Sequence, residues 1–238
     1  MKENTILKVS GLSVSYGEEE VIKNMDLEVE RGEFVAIIGP NGAGKTTFMR
    51  AVAGMLDYSG KIIWNGEPSI SYLPERLSLA KFREYPLTVA EFFKMHRMYE
   101  TSPFRSSKSH YEVLESVGLE DVDFILKKNP GELSSGQFQR MLVAWAMLGD
   151  PDVLLFDEPT TGIDIGGEET IHSLIYKLWK ERDLTVFVIT HELNVVYAYA
   201  ANVLCMRRKE HFYGPPDEVL TPERLREIYG TEIKFHVH

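Results

Sequence analysis

The chain has 238 residues, 44% of them hydrophobic and 26% charged, the balance of a soluble globular protein with room for one sizeable core and an elaborating subdomain. Its net charge of -10 argues against a broad electrostatic nucleic-acid footprint, so no nucleic-acid partner is expected. No apolar stretch is long enough to span a bilayer, and Met1 to Ser10 lacks the apolar core of a signal peptide, so a cytosolic chain is expected.

Residues 6 to 30 read as short strands, Ile6-Leu7-Lys8-Val9, Leu12-Ser13-Val14-Ser15-Tyr16 and Met25-Asp26-Leu27-Glu28-Val29-Glu30. Their alternation gives one wet and one dry face, and predicts an antiparallel layer beside the main sheet. Tyr16 closes one of these strands, and its spacing favours a half-buried strand tyrosine over a ring free to stack on a base. The run Phe34-Val35-Ala36-Ile37-Ile38 is a buried strand.

That strand leads into Gly39-Pro40-Asn41-Gly42-Ala43-Gly44-Lys45-Thr46-Thr47, and a helix follows through Ala53. Strand, glycine-rich loop and helix are the context of a phosphate-binding loop. The glycines let successive backbone N–H groups turn inward on a polyphosphate, and the new helix adds its N-terminal dipole. Lys45 supplies a point charge to the β and γ phosphates and the Thr46 hydroxyl a ligand for magnesium. A nucleoside triphosphate is the expected ligand.

Lys61-Ile62-Ile63-Trp64 is a further strand, Asn65-Gly66 a turn of the hairpin kind, and Ile70-Ser71-Tyr72-Leu73 a strand stopped by Pro74. From there to Asn129 the pattern turns helical, with capping boxes at Thr88-Val89-Ala90-Glu91 and Ser109-His110-Tyr111-Glu112. The aromatic and methionine stripe from Phe92 to Tyr99 reads as core rather than as a docking surface. Ser134 is a natural N-cap for a helix over Phe138 to Leu148, in which Trp145 reads as core. Ser134-Ser135-Gly136 at that helix start is either an ordinary cap or a second anion site.

Val153-Leu154-Leu155-Phe156 is another buried strand and ends in Asp157-Glu158. Carboxylates at the C-terminal edge of such a strand lie where open α/β sheets bind ligands. Asp157 is placed to hold magnesium and Glu158 to polarise an attacking water. A helix from about Gly167 to Arg182, capped near Asp164, leads to the buried strand Thr185-Val186-Phe187-Val188-Ile189. At the edge of that strand His191 is within reach of a γ phosphate. Cys205, within Val203-Leu204-Cys205-Met206, is expected to be a small buried hydrophobe. Arg207-Arg208-Lys209 reads as a solvated turn between two strands, and Thr221 as the cap of a last helix with Pro222 at its first position.

Over essentially its whole length the sequence resembles the ATP-binding cassette of ABC transporters. Gly39 to Thr46 is similar to the Walker A loop, Leu133-Ser134-Ser135-Gly136-Gln137 to the signature usually written LSGGQ, and Val153 to Glu158 to the Walker B strand with its catalytic glutamate. Thr161-Gly162-Ile163-Asp164 resembles the D-loop, His191 the switch histidine and Tyr16 the base-stacking aromatic.

The resemblance implies an α/β fold, a P-loop NTPase core of ABC type with an antiparallel β subdomain and an inserted helical subdomain. It implies a single cassette, with core and β subdomain over 1–74 and 140–238 and the helical subdomain over 75–139. It further implies hydrolysis of ATP with Mg2+ by two copies paired head to tail, which drive an integral membrane permease from the inner face of the membrane. Lys45, Glu158 and His191 would then be catalytic, and Thr46, Asp157 and Glu75 would stand at the metal. Tyr16, Gly39, Asn41, Gly42, Ala43, Gly44, Lys45, Thr46, Thr47, Gln137 and Asp164 would contact nucleotide, and Ser134, Ser135 and Gly136 would reach the γ phosphate across the dimer.

Ser135 replaces a signature glycine, a mild change in αR or β backbone and a strained one at positive φ. Glu75 stands where the family usually has a glutamine that touches magnesium and relays to the membrane subunit. Gly136 to Arg140, Gly162 to Glu169 and Ala201 to Met206 look most like cassettes of zinc and manganese importers, whereas Glu75 resembles some multidrug-type exporters. A soluble ABC ATPase of DNA repair or the ribosome would need a coiled-coil insertion or second cassette that the chain lacks. His236 and His238 are too few for a structural zinc site and read as an ordinary tail rather than a metal sensor.

Overall fold

A computed structural model of the protein describes residues 4–75, 77, 79–99, 109–159, 165–207 and 210–229, with backbone alone at 96–99, 165–170 and 227–229. The expected tail histidines His236 and His238, the D-loop residues 161–164 and residues 208–209 of the basic run lie outside the described residues.

In chain order the elements are β1 (Thr5–Tyr16), β2 (Glu19–Glu30), β3 (Phe34–Ile38), α1 (Lys45–Val52) and β4 (Ser59–Trp64). Then come β5 (Ile70–Leu73), α2 (Leu79–Phe82), α3 (Val89–Tyr99), α4 (His110–Ser116), α5 (Val122–Lys127), a 3-10 turn (Pro130–Glu132) and α6 (Ser135–Ala146). The chain closes with β6 (Val153–Asp157), α7 (Ile165–Arg182), β7 (Thr185–Ile189), α8 (Leu193–Tyr199), β8 (Asn202–Arg207), β9 (Glu210–Gly214), α9 (Pro216–Val219) and α10 (Pro222–Tyr229). Two compact units arise, one from the residues up to Glu67 together with those from Thr185, the other from Pro68 to Leu184.

The first unit contains two sheets. β1 lies between β2 and β4 in an antiparallel layer, as the alternation predicts: on β2, Met25, Leu27 and Val29 are buried while Asp26 and Glu28 are exposed. The two short strands expected over 6–16 are one strand, bent by a register shift between Val9 and Leu12, where the Gly11 N–H turns aside to the Asp26 carboxylate at 2.9 Å. The second sheet has β3 parallel to β7 on one side and to β8 on the other, with β9 antiparallel on β8. β3 and β7 are buried at every residue, which is why they read as apolar runs, interrupted only by Thr185 at the start of β7. Cys205 on β8 is 1% exposed, and burial pushes its thiol up to about 11.

The expected Asn65-Gly66 hairpin does not form: β4 pairs with β1, while β5 pairs with β6 in parallel. The turn is instead tied back to β1, with the Asn65 N–H on the Ile6 carbonyl at 2.8 Å and its side-chain amide on the Thr5 carbonyl at 3.1 Å.

The second unit holds β5 and β6 with α2 to α7. Phe82, Phe92, Phe138 and Trp145 pack ring on ring at centroid distances of 5.2 to 5.5 Å, joining α2, α3 and α6. The aromatic stripe of α3 is thus largely core, with Phe93 fully buried and Met95 39% exposed. Both capping boxes form: the Glu91 and Glu112 carboxylates accept the Thr88 and Ser109 N–H groups at 2.7 Å. The Thr88 backbone bond is the largest of the effects that hold the Glu91 carboxyl below its ordinary range.

Candidate functional site

In the first unit the parallel pairing of β3 and β7 sets Ile37 opposite Ile189, so the chain leaves both strands at one edge. Gly39–Thr47 emerges from β3 there and Thr190-His191 from β7, and the Thr190 N–H donates to the Ile37 carbonyl at 3.2 Å. Phosphate loop and histidine are therefore brought together by register. His191 is exposed.

The loop turns through φ of +148° at Gly39, +79° at Gly42 and +98° at Gly44, the last being the N-cap of α1. Asn41 and Gly42 are exposed, Thr46 is half-buried, and Ala43 and Thr47 are buried, the Ala43 N–H donating to the Pro40 carbonyl at 3.1 Å. Lys45 is 6% exposed, its Nζ donating to the Gly39 carbonyl at 2.8 Å and the Pro40 carbonyl at 3.2 Å. The loop carries its cation folded inside its own arc, over the N-terminus of a helix, a combination that suits a polyphosphate. Gly39 has a second reason to lack a side chain: a Cβ built there would lie 2.0 Å from the Met206 carbonyl oxygen on β8.

Tyr16, at the end of β1, is 49% exposed. This overturns the half-buried tyrosine that its spacing favours. The inward residues of that strand are Leu12 and Val14, and the pairing ends at Tyr16 opposite Glu19, so Tyr16 stands at the margin of the layer.

In the second unit β5 and β6 are paired in parallel, with Leu73 opposite Phe156, and again two segments leave at one edge: Pro74-Glu75 and Asp157-Glu158. Asp157 is 3% exposed, and its Oδ2 accepts the Tyr72 hydroxyl at 3.0 Å. Glu158 is half-buried at φ +50°, a left-handed backbone that a glutamate adopts only at a cost of about 1 kcal/mol. Glu75 is exposed in a turn. The donors that sequence assigns to a metal, the Thr46 hydroxyl and the Asp157 and Glu75 carboxylates, are all hard oxygens, the set that magnesium takes.

Ser134 caps α6 as expected, its hydroxyl accepting the Gln137 N–H at 3.2 Å while Gln137 Oε1 accepts the Ser134 N–H at 3.1 Å. Ser134 and Ser135 are exposed, Gly136 and Gln137 half-buried. Ser135 is the first residue of α6 and is not among the described residues at positive φ, so serine replaces the usual glycine there without backbone strain. The approach to this cap is fixed by Gly131: a Cβ there would lie 2.5 to 2.9 Å from Arg83, whose Nε donates to the Gly131 carbonyl at 3.0 Å. Neither Arg83 nor Tyr72 is marked by the sequence as part of a site. The one trace of Tyr72 is a polar aromatic on a short strand that ends beside the carboxylates.

A strand-edge phosphate loop, a paired strand edge bearing two carboxylates and a separately capped helix define an α/β nucleotide-binding protein of the P-loop class. The profile of the family described as ABC transporter matches residues 22–161. The chain belongs to this family, as an ATP-binding subunit that hydrolyses ATP, and its fold is the P-loop core of ABC type with an antiparallel β subdomain and an inserted helical subdomain.

Similar proteins include a metal transport system ATP-binding protein of Thermotoga maritima, 39% identical over 94% of this chain and 90% of that one. A zinc import ATP-binding protein of Wolbachia pipientis is 30% identical over 96% of this chain and 90% of its own length. A manganese transport system ATP-binding protein of Halalkalibacterium halodurans is 33% identical over 95% and 92%. Among solved structures, an inward-facing metal-chelate type ABC transporter has a chain that aligns with TM-score 0.80 at 27% identity, over 95% of this chain and 89% of that one.

Proposed function

We propose that this chain powers import of a divalent metal ion, zinc or manganese, through a separate membrane permease. Two copies would pair head to tail around MgATP on the cytoplasmic face of the cell membrane. The observation that carries the reading is the phosphate loop and His191 leaving adjacent parallel strands at one edge. The metal, zinc and manganese transport named for the relatives supports the choice of cargo. The chain is read as one cassette, with the helical subdomain over 75–139.

In this reading Tyr16 stacks on the adenine, and Gly39, Asn41, Gly42, Ala43, Gly44 and Thr47 line the phosphates with Lys45. Thr46 and Asp157 hold Mg2+, with Glu75 beside it. Bound Mg2+ would supply positive charge against the negative charge that develops as the phosphoryl group is transferred. Glu158 accepts a proton from the water whose oxygen attacks the γ phosphorus, while the bond to the bridging oxygen breaks and ADP leaves. His191 donates a hydrogen bond to the transferring phosphoryl group. Ser134, Ser135, Gly136 and Gln137 of the second copy close the site, and Asp164 is read as a further nucleotide contact.

Light scattering of Glu158→Gln tests the pairing. The variant should be monomeric without nucleotide and dimeric with ATP; a persistent monomer at saturating ATP would contradict it. Glu75 gives a separate expectation, because a carboxylate in place of an amide puts an extra negative charge beside the metal. Glu75→Gln should change the Mg2+ concentration for half-maximal hydrolysis by about fivefold or more, since a charge close to the metal at an effective dielectric of about 20 is worth about a kcal/mol or more. An unchanged magnesium titration and an unchanged rate would remove Glu75 from the metal.

A further inference from the structure

The Tyr72 hydroxyl donates to Asp157 Oδ2 at 3.0 Å. Strand register explains how it gets there. Tyr72 is opposite Leu155 in the parallel pair, and Leu155 shares a face of β6 with Asp157, so Tyr72 and Asp157 lie on one face, a single pair apart. The length of a tyrosine side chain carries its hydroxyl across that step to the Asp157 carboxylate. Asp157 is the last residue of β6 and is 3% exposed, so little water competes for that oxygen.

We propose that Tyr72 is a positioning residue for magnesium: its hydrogen bond fixes the plane of the Asp157 carboxylate and so sets the direction from which that group meets the metal. The proposal rests on the reading of Asp157 as a magnesium-holding residue. A carboxylate free to rotate about χ2 would present either oxygen over a wide arc, whereas magnesium tolerates little departure from octahedral geometry. Groups that orient a ligand are worth about ten- to a hundredfold in metal affinity in well-studied sites. One neutral hydrogen bond to a carboxylate sits at the low end, so a loss of about five- to tenfold is expected.

The test compares wild type, Tyr72→Phe and Asp157→Asn by binding of a fluorescent ATP analogue in EDTA and in Mg2+, with a magnesium titration of hydrolysis. Tyr72→Phe keeps the ring and deletes only the donor. It should bind the analogue in EDTA as wild type does, lose about five- to tenfold of the affinity that Mg2+ adds, and need correspondingly more Mg2+ for half-maximal rate. Equal Mg2+ dependence of Tyr72→Phe and wild type would overturn the proposal, as would a loss of affinity of the same size in EDTA and in Mg2+, which marks a packing role. If Asp157→Asn also leaves the Mg2+ dependence untouched, the magnesium reading of Asp157 falls and takes the proposal with it. If Asp157→Asn abolishes that dependence while Tyr72→Phe does not alter it, only the role of Tyr72 falls.

Discussion

Glu158→Gln should lower the maximal rate of ATP hydrolysis about a hundredfold or more while leaving ATP affinity within about threefold, because removing a positioned general base costs 10² to 10⁴ in rate. A hundredfold loss corresponds to about 2.7 kcal/mol of transition-state stabilisation. The substitution isolates the carboxylate unusually well. Glutamine has the size and backbone preferences of glutamate, so the cost of φ +50° at this position is the same in both proteins. A rate deficit therefore reports on proton acceptance and not on a rearranged strand end. Single-turnover hydrolysis with bound ATP measures it directly, and near-normal turnover would remove Glu158 from the role of base.

Gly39→Ala should be among the most damaging single substitutions in the first unit. Its Cβ would lie 2.0 Å from the Met206 carbonyl oxygen, at φ +148°, so relief requires β8 or the loop to move by about an ångström. Overpacking against backbone together with an unfavourable φ costs about 3 kcal/mol or more, roughly 6 to 12 °C in melting temperature for a protein of this size. Gly42→Ala is the internal comparison, since a Cβ there meets nothing within 4 Å although φ is +79°. It should cost about 1 kcal/mol, from the left-handed backbone alone. Thermal melts of the two variants separate these cases. Equal, small losses would show that the approach of the loop to β8 is not a constraint.

Much of this architecture is legible because strong local signals agree with the tertiary structure. Residues 34–38, 153–156 and 186–189 are apolar throughout because they are buried on both faces. Thr88, Ser109 and Ser134 announce helix starts through reciprocal bonds made within four residues. What the sequence conceals depends on partners far away in the chain. Asn65-Gly66 has hairpin chemistry, yet the following strand finds a better partner in β6, so the turn connects two sheets. Tyr16 obeys strand alternation but stands where the strand runs out of layer to pack against. The short helices α2 and α9, of four residues each, have too few turns to show a period.

The site divides along the same line. The phosphate loop is read from its own residues, and the strand-end positions of Asp157, Glu158 and His191 from the apolar runs that precede them. Tyr72 could not be found so, because its bond to Asp157 joins residues 85 positions apart and depends on strand register. Gly131 likewise looks like a turn glycine until Arg83 is seen packed against it.

Recovery of Glu158→Gln from its native membranes in detergent and ATP, followed by mass spectrometry of what co-purifies, shows whether ATP hydrolysis by this chain is coupled to a metal permease. A second copy of the chain is expected, together with a membrane subunit that carries metal-ligating side chains inside its helices. A membrane subunit without them would contradict the metal cargo, and the absence of any membrane subunit would contradict the coupling of this ATPase to transport.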